Sequence, residues 1–475
     1  MHVGKVAAVV EVAGLAADLP AGARADYQRR VTQLLDSFRA IPASAPIRLA
    51  KKTSNLFRVR QDSRAPGLEV DQFDGVLSVD PVNRTADVLG MTTYEHLVAA
   101  TLPYGLMPMV VPQLKTITLG GAVTGLGIES TSFRAGLPHE SVLEMDILTG
   151  SGEVITATAD NEHADLFFGF PNSYGTLGYA LRLRIELAPV APYVELEHLR
   201  FHTASDLAAA VEQIVLAGEL AGRPVDFLDG TVFAPDELYL TLGRWCDSAP
   251  FTSDYTGTNI YYKSIRTRQV DYLTAADYIW RWDTDWFWCS GGVGAQNRYL
   301  RPLIPRRYLR SDNYFKIVNF ARRKGLVDAW DALRRKPKRE YVIQDVEVPV
   351  ERLADFLDFF HREVGILPVW LCPLRQRDRS QRWDLYVMSP ETVYVNLGFW
   401  ASVEIAPGAE EGDVNRAIEI EVERLGGRKS LYSSSYYPED EFWGIYNGET
   451  YAALKKHYDP DSRLLDLYAK CVAGR

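Results

Sequence analysis

The chain is poor in the residues and motifs that many sites are built from. Its four cysteines, Cys246, Cys289, Cys372 and Cys471, lie far apart among 475 residues and form no CxxC pair. That spacing argues against a zinc site and against a disulfide framework, and it suits a reducing cytoplasm. No run of 18 apolar residues occurs, so no membrane-spanning helix is expected. The opening VGKVAAVVEVAGLAADL is interrupted by Lys5, Glu11 and Asp18 and lacks the charged start and clean apolar core of a signal peptide. The expected location is the cytoplasm. A GK[ST] phosphate loop, an HExxH metal motif, a paired-carboxylate motif and a GxSxG nucleophile elbow are all missing, which removes the obvious nucleotidase, metalloprotease and hydrolase signatures. No metal site is expected.

What remains is an ordinary globular composition, 47% hydrophobic and 24% charged, in a chain long enough for two or three domains. The net charge of −10 disfavours nucleic acid as a general partner. It is unevenly spread: Arg301–Arg339 holds thirteen Lys/Arg against Asp312, Asp328 and Asp331, a local +10 that leaves −20 for the rest. Such a block reads either as a solvated face or as a landing site for an anionic partner, such as phospholipid headgroups at the inner face of a membrane or a nicotinamide dinucleotide phosphate.

One stretch organises the chain. From Pro112 to Gly136 it reads PQLKTITLGGAVTGLGIESTSFRAG, with Gly120, Gly121, Gly125, Gly127 and Gly136 set among small hydroxyl and apolar residues. Glycine lets backbone approach a ligand and carries no penalty at positive φ, and freed N–H groups can line an anion-binding concavity. A backbone cradle for a large cofactor is expected. Gly125-Leu126-Gly127 imitates a dinucleotide fingerprint with Asp146 as ribose acid, but Ser130 takes the third glycine position and no βαβ unit surrounds it.

The rest reads as mixed α+β. Residues 24–40 have helical periodicity with Val31, Leu34, Leu35 and Phe38 on one face. A strand pair turns at Asp80–Asn83, and a hairpin spans 142–158. A second glycine turn follows at Gly175, Thr176 and Gly178. The next strand places Leu181, Leu183, Ile185 and Leu187 on one face and Arg182, Arg184 and Glu186 on the other. Beyond Pro192 the character turns aromatic and basic: YIWRWDTDWFWC puts Trp280, Trp282, Trp286 and Trp288 in nine residues, as core or as an apolar substrate channel. YVIQDVEVPV reads as a strand, and Asp345 and Glu347 share one of its faces. A helix stopped by Gly365 and two further strands complete a second α+β domain. The C-terminal segment is helical to Tyr458 and broken at Asp459-Pro460.

Six blocks in order, GIESTSFRAGL, DLFFGFPNSYGTLG, IQDVEVP, GILPVWLCPLR, YSSSYYPEDEFW and TYAALKKHY, resemble the FAD-linked oxidase superfamily of the vanillyl-alcohol oxidase type. Within it they resemble the Δ24-sterol reductases and the actinobacterial flavoproteins that reduce a methylene-branched fatty acyl chain. The resemblance implies a two-part PCMH-type FAD-binding domain at 1–192, an α+β cap domain at 193–430 and a C-terminal segment, 431–475, returning to the first. It implies FAD held by Lys52, Ser54, Asn55, Pro112, Gln113, Thr116, Thr118, Gly120, Gly121, Gly125, Gly127, Ile128, Glu129, Ser130, Thr131, Arg134, Gly136, Gly175, Thr176 and Gly178. The loop KKTSNLF has no histidine, so the flavin is expected to be non-covalent.

The implied activity is reduction of an isolated lipid C=C with NADPH. That chemistry needs a positioned acid in a dry pocket. Asp345 and Glu347 are the first candidates, then Cys372, then Tyr437 with Tyr436. His139 follows Pro138 near the cradle. Implied partners are an acyl chain on a phospholipid, a membrane contacted through Arg301–Arg339, and a neighbouring methyltransferase. An alcohol oxidase on a sugar or lipid, running hydride the other way, is the alternative.

Overall fold

The computed structural model describes residues 15–51, 57–58, 67–323 and 337–474. Two antiparallel sheets dominate it. The first contains, in spatial order, Val76–Asp80, Thr85–Leu89, Gly178–Pro189, Val142–Thr149 and Val154–Ala157, with Leu106–Pro108 also pairing to Gly178–Pro189. The second has eight strands in the order Val270–Thr274, Tyr193–Phe201, Glu237–Cys246, Phe227–Ala234, Val369–Leu374, Tyr394–Glu404, Arg339–Pro349 and Arg428–Lys429. Sequential antiparallel pairing of short alternating strands accounts for the missing βαβ rhythm. The fold is α+β.

The helix Ala21–Ala40 buries Tyr27, Val31, Leu34, Leu35 and Phe38, the 3.6-residue stripe read from sequence. Helices Ala204–Ala217, Leu353–Glu363 and Asp413–Arg424 cover one face of the eight-stranded sheet and form a core with its Val342, Val346, Val348, Leu371 and Leu397. In Leu353–Glu363 the buried residues are Leu353, Phe356, Leu357 and Phe360. Each contributes about 1.5–3 kcal/mol by leaving water. Gly365, at φ +69°, follows the helix end, a left-handed position that costs glycine nothing. The opposite face of this sheet carries Asp345, Glu347, Trp370, Cys372 and Trp400 and turns toward the first sheet.

Two expectations change. Arg182 was placed on a polar face, yet it is fully buried and donates to Asp146 Oδ2 at 2.8 Å, with Asp87 and Glu144 also in contact. Tyr27 and Thr156 donate to the same Asp146 at 2.8 and 2.7 Å. A buried guanidinium persists only when its donors are paired, and alternation cannot reveal the partners. Asp146 thus belongs to this network and not to a ribose. The C-terminal helix is two helices, Glu439–Ile445 and Gly448–Tyr458, because Asn447 is left-handed at φ +53° and caps the second through its side chain. Tail residues reach back to the first sheet's turns: Lys455 Nζ donates to Thr176 O at 2.7 Å and Lys470 Nζ to Tyr174 O at 2.7 Å.

Candidate active site

The glycine stretch forms the helix Leu119–Gly125, capped by Thr118, whose Oγ1 accepts from Gly121 N–H. The physical role of its glycines differs from the sequence expectation. None of Gly120, Gly121, Gly125 or Gly127 has positive φ; in this stretch Leu126 at +56° and Gly136 at +70° do. What they provide is close approach. A Cβ on Gly120 would stand 2.7 Å from the Gly90 carbonyl oxygen, and one on Gly90 would stand 1.9 Å from that of Ala180. The helix therefore packs backbone to backbone on the first sheet. A Cβ on Gly127 would lie 2.7 Å from Pro112 Cγ, and one on Gly125 3.2 Å from the Tyr174 ring.

That close packing leaves a cavity of about 220 Å³ between the two sheets. One wall is the glycine stretch: Pro112, Gln113, Leu114, Thr116, Ile117, Thr118, Gly121, Ala122, Thr124, Gly125, Leu126, Gly127 and Ile128. Lys51, Phe57 and Tyr174 close one end. The facing wall is Trp286, Phe287, Asp345, Trp370, Trp400, Ser430 and Tyr432. The Gln113 amide nitrogen is buried without a partner among the described residues. An unpaired buried donor on a cavity wall fits a ligand carrying an acceptor.

The facing wall is largely aromatic. Phe57 and Trp286 stack at 5.7 Å and 20°, Phe287 and Trp400 at 4.4 Å and 30°. Trp286 and Phe287 hold left-handed backbone at φ +45° and +56°, positions that cost bulky residues about 1–3 kcal/mol each and gather at functional sites. Of the tryptophan cluster, Trp286 lines the cavity while Trp282 is core, its Nε1 donating to Asp229 Oδ2 at 3.2 Å.

Asp345 is the acidic group on this wall. Its Oδ1 accepts from Asn396 Nδ2 at 2.9 Å, and the Tyr432 side chain interacts with the same carboxyl. Tyr432 in turn accepts from Trp400 Nε1 at 2.9 Å. Burial raises the Asp345 pKa to about 6, partly offset by the Asn396 and Tyr432 hydrogen bonds. Gly398 sits opposite Asp345 in the ladder, and a Cβ there would lie 2.6 Å from Asp345 Oδ1. The carboxyl occupies room left by a missing side chain.

Glu347 shares the face but stands back from the cavity. Tyr386 Oη donates to its Oε2 at hydrogen-bond contact, and Ser430 Oγ donates to Oε1 at 3.3 Å. Burial pushes its pKa up to about 8; the Tyr386 hydrogen bond lowers it and the Asp345 charge raises it. Ser430 lines the cavity, so Glu347 communicates with that space through one hydroxyl.

Other candidates lie elsewhere. Cys372 is fully buried beside the wall without lining the cavity, and burial raises its thiol pKa. Tyr437 is buried against Arg416, whose guanidinium stands 5.5 Å from its ring. Tyr436 packs at Gly412, where an added Cβ would meet its ring at 2.4 Å. Glu129 pairs with buried Arg281 at 2.9 Å, Ser130 donates to Glu129 at 2.6 Å, and Thr131 donates to Met109 O at 2.8 Å. Arg134 faces solvent beside Asp226, and Gly136 makes room for the Glu140 carboxyl. Gly120 and Gly178 allow close backbone packing behind the cavity, Gly175 takes positive φ at +74° in its turn, and Thr176 donates to Ser173 O; from that turn it is Tyr174 that reaches the cavity. His139 packs edge-on against Trp383 at 4.4 Å, away from the cavity, and burial lowers its pKa to about 3. Lys52, Ser54 and Asn55 lie outside the described residues. Among the described residues no cluster could hold a metal ion.

Sequence reasoning missed Tyr432, Trp400, Phe287, Tyr174, Phe57 and Ser430. Tyr432 sits five residues before Tyr437 in the same block, and the strand pairing of Arg339–Pro349 with Tyr394–Glu404 would have put Trp400 near Asp345.

Known proteins resemble this chain in sequence. Residues 34–158 match the model of an FAD binding domain. The chain is 26% identical over 452 residues to a Delta(24)-sterol reductase of Arabidopsis thaliana, covering 87% of this chain and 78% of that protein. It is 26% identical over 423 residues to the Delta(24)-sterol reductase of Homo sapiens, covering 86% and 76%. A cytokinin dehydrogenase of Oryza sativa is 31% identical over 169 residues, 35% of this chain and 31% of that one. The architecture is thus an α+β fold of the PCMH type, and the protein is an FAD-dependent oxidoreductase.

Proposed function

We propose that this protein reduces an isolated C=C of a lipid, converting a methylene-branched acyl chain to its methyl-branched form, with NADPH as electron donor. The observation that carries the reading is Asp345: a carboxyl held near neutrality by burial, on an aromatic wall, facing the glycine stretch. The relatives named as Delta(24)-sterol reductases support the direction of the reaction.

Pro112, Gln113, Thr116, Thr118, Gly121, Gly125, Gly127 and Ile128 are the residues of this chain that would hold FAD. Gln113 offers its unpaired donor, and the bare helix Leu119–Gly125 offers close approach. Bound and reduced, FAD supplies hydride. The protein must supply the proton, because an isolated double bond has no carbonyl to polarise it. Protonated Asp345 delivers that proton to one alkene carbon as hydride reaches the other. Asn396 and Tyr432 then stabilise the carboxylate left behind, and Trp400 keeps Tyr432 turned toward it. The aromatic wall excludes water from the cation that develops. Glu347, still protonated at neutrality, is held by Tyr386 and stands one hydroxyl, that of Ser430, from the cavity.

Anaerobic absorbance tests the reading. NADPH should bleach the flavin and a methylene lipid should restore its colour. Bleaching by an alcohol without NADPH would instead mark an oxidase.

A further inference from the structure

The surface between Arg298 and Val318 has a character found nowhere else among the described residues. Tyr299, Leu300, Leu303, Tyr308, Ile317 and Val318 are all exposed, Leu303 to 77% and Tyr299 to 68%. Sixteen large hydrophobic residues are exposed among the described residues, and six of them fall in this one segment. Single exposed apolar residues are ordinary, whereas a cluster marks an interaction surface. Between them stand exposed Arg298, Arg306, Arg307 and Lys316, with Asp312 the sole carboxylate in the segment. Two of the arginines lie over tyrosine rings, Arg298 4.5 Å from the Tyr299 centroid and Arg307 4.9 Å from that of Tyr308.

The basic block itself divides into two kinds of residue. Arg301 is buried and donates to Asp285 at 2.6 and 2.9 Å, and Arg310 forms a two-pronged pair with Glu95 at 2.9 and 2.8 Å. These arginines fasten the segment to the body and are not a landing site. The outward charges are those interleaved with Leu303, Tyr308 and Ile317, of which Arg306 pairs with exposed Asp254 and Lys316 with Asp312, each at 2.9 Å. The helix Ser311–Arg323 shows the same division: Tyr314 is buried, while Lys316, Ile317 and Val318 face out. Its Phe315 packs edge-on against Phe57 at 5.4 Å and against Trp286 at 6.0 Å, and both of those rings line the cavity.

We infer that this segment docks on an anionic bilayer and sets the cavity mouth against it. In a chain of net charge −10 the local excess of cations selects a negatively charged partner. Interleaved leucine, isoleucine, tyrosine and arginine match the headgroup–acyl boundary, where aliphatic and aromatic side chains enter the apolar zone while cations stay among phosphates. A polyanion such as nucleic acid would leave Leu303 and Ile317 unused. Docking here sets Phe315, behind the membrane-facing residues, against Phe57 and Trp286, so that an acyl chain passes from bilayer to cavity along apolar side chains. The inference rests on the lipid reading only for what enters; the docking itself stands on the surface.

Co-sedimentation of the FAD-loaded full chain with vesicles tests it. Vesicles of phosphatidylglycerol and phosphatidylcholine in equal parts should bind the protein, those of phosphatidylcholine alone at least tenfold more weakly. Leu303→Asp with Ile317→Asp, and separately Arg306→Glu with Arg307→Glu, should each weaken binding about tenfold or more. The flavin absorbance of these variants, unchanged, reports intact folding. Equal sedimentation of wild type and both variants overturns the inference. So does a wild type that ignores anionic vesicles at low salt, or one that forms a stable dimer broken by the Leu303/Ile317 change. Vesicle binding without C=C reduction would sink the reductase alone. Reduction of detergent-dispersed lipid without vesicle binding would sink the docking alone.

Discussion

The two walls of the cavity are built on opposite principles. The glycine wall works by what it lacks: at Gly90, Gly120 and Gly127 a single methyl group would collide with backbone or proline atoms 1.9–2.7 Å away. The facing wall works by what it presents, with Asp345 held by Asn396 and Tyr432 and braced by Trp400. Yet it too depends on one absence, because Gly398 leaves the room that Asp345 occupies. The contrast teaches that holding a cofactor and performing chemistry are separable here. Substitution in the first wall should change occupancy, and substitution in the second should change turnover.

The largest expected effect is at the second wall. Asp345→Asn should lower C=C reduction about 10²–10⁴-fold, the usual worth of a positioned general acid, while FAD content and NADPH-driven bleaching stay at wild-type level. Next come two matched glycine substitutions. Gly120→Ala sets a methyl against the unyielding Gly90 carbonyl, so thermal unfolding should show a loss of about 1–3 kcal/mol and FAD content should fall, with turnover per bound flavin kept. Gly398→Ala should do the reverse: full flavin content and turnover reduced roughly tenfold, about 1.4 kcal/mol of barrier. If both lower occupancy and turnover alike, the walls are not separable.

A smaller effect comes from pH. Glu347 carries a folded pKa of about 8 against an ordinary 4.5. The native state therefore binds the extra proton between those values, and stability declines as pH rises through that window and levels off above it. Glu347→Gln should flatten that decline, seen as a smaller difference in Tm between pH 5 and pH 8. Reduction itself should fall above about pH 6 as Asp345 loses its proton, measured as the pH profile of turnover. The smallest change is Trp400→Phe, which removes one hydrogen bond to Tyr432 and should cost about 0.5–1.5 kcal/mol, with the turnover optimum shifted in pH.

Much of this contrast was legible in the sequence, but unevenly. Periodicity placed a helix at 24–40, within the observed Ala21–Ala40, and put Asp345 and Glu347 on one face, because those signals are local. It could not distinguish the two carboxylates. What separates them is long-range pairing: Asp345 meets the cavity, whereas Glu347 meets Tyr386 from a distant loop. The glycine stretch was visible by composition, but its reason was not. Close approach to a ligand and freedom at positive φ were the expected reasons; Gly136 does take positive φ, but Gly120 instead makes contact with Gly90 and the first sheet, which no window of sequence contains. Arg182 teaches the same lesson, since an alternating pattern cannot show that Asp87, Glu144 and Asp146 converge on it.

The most direct test follows flavin absorbance through one anaerobic cycle in wild type and in Asp345→Asn. Both should bleach with NADPH. On adding a methylene-branched lipid, the wild type should regain its colour while the variant stays bleached. Recovery of colour in Asp345→Asn at the wild-type rate would contradict the account.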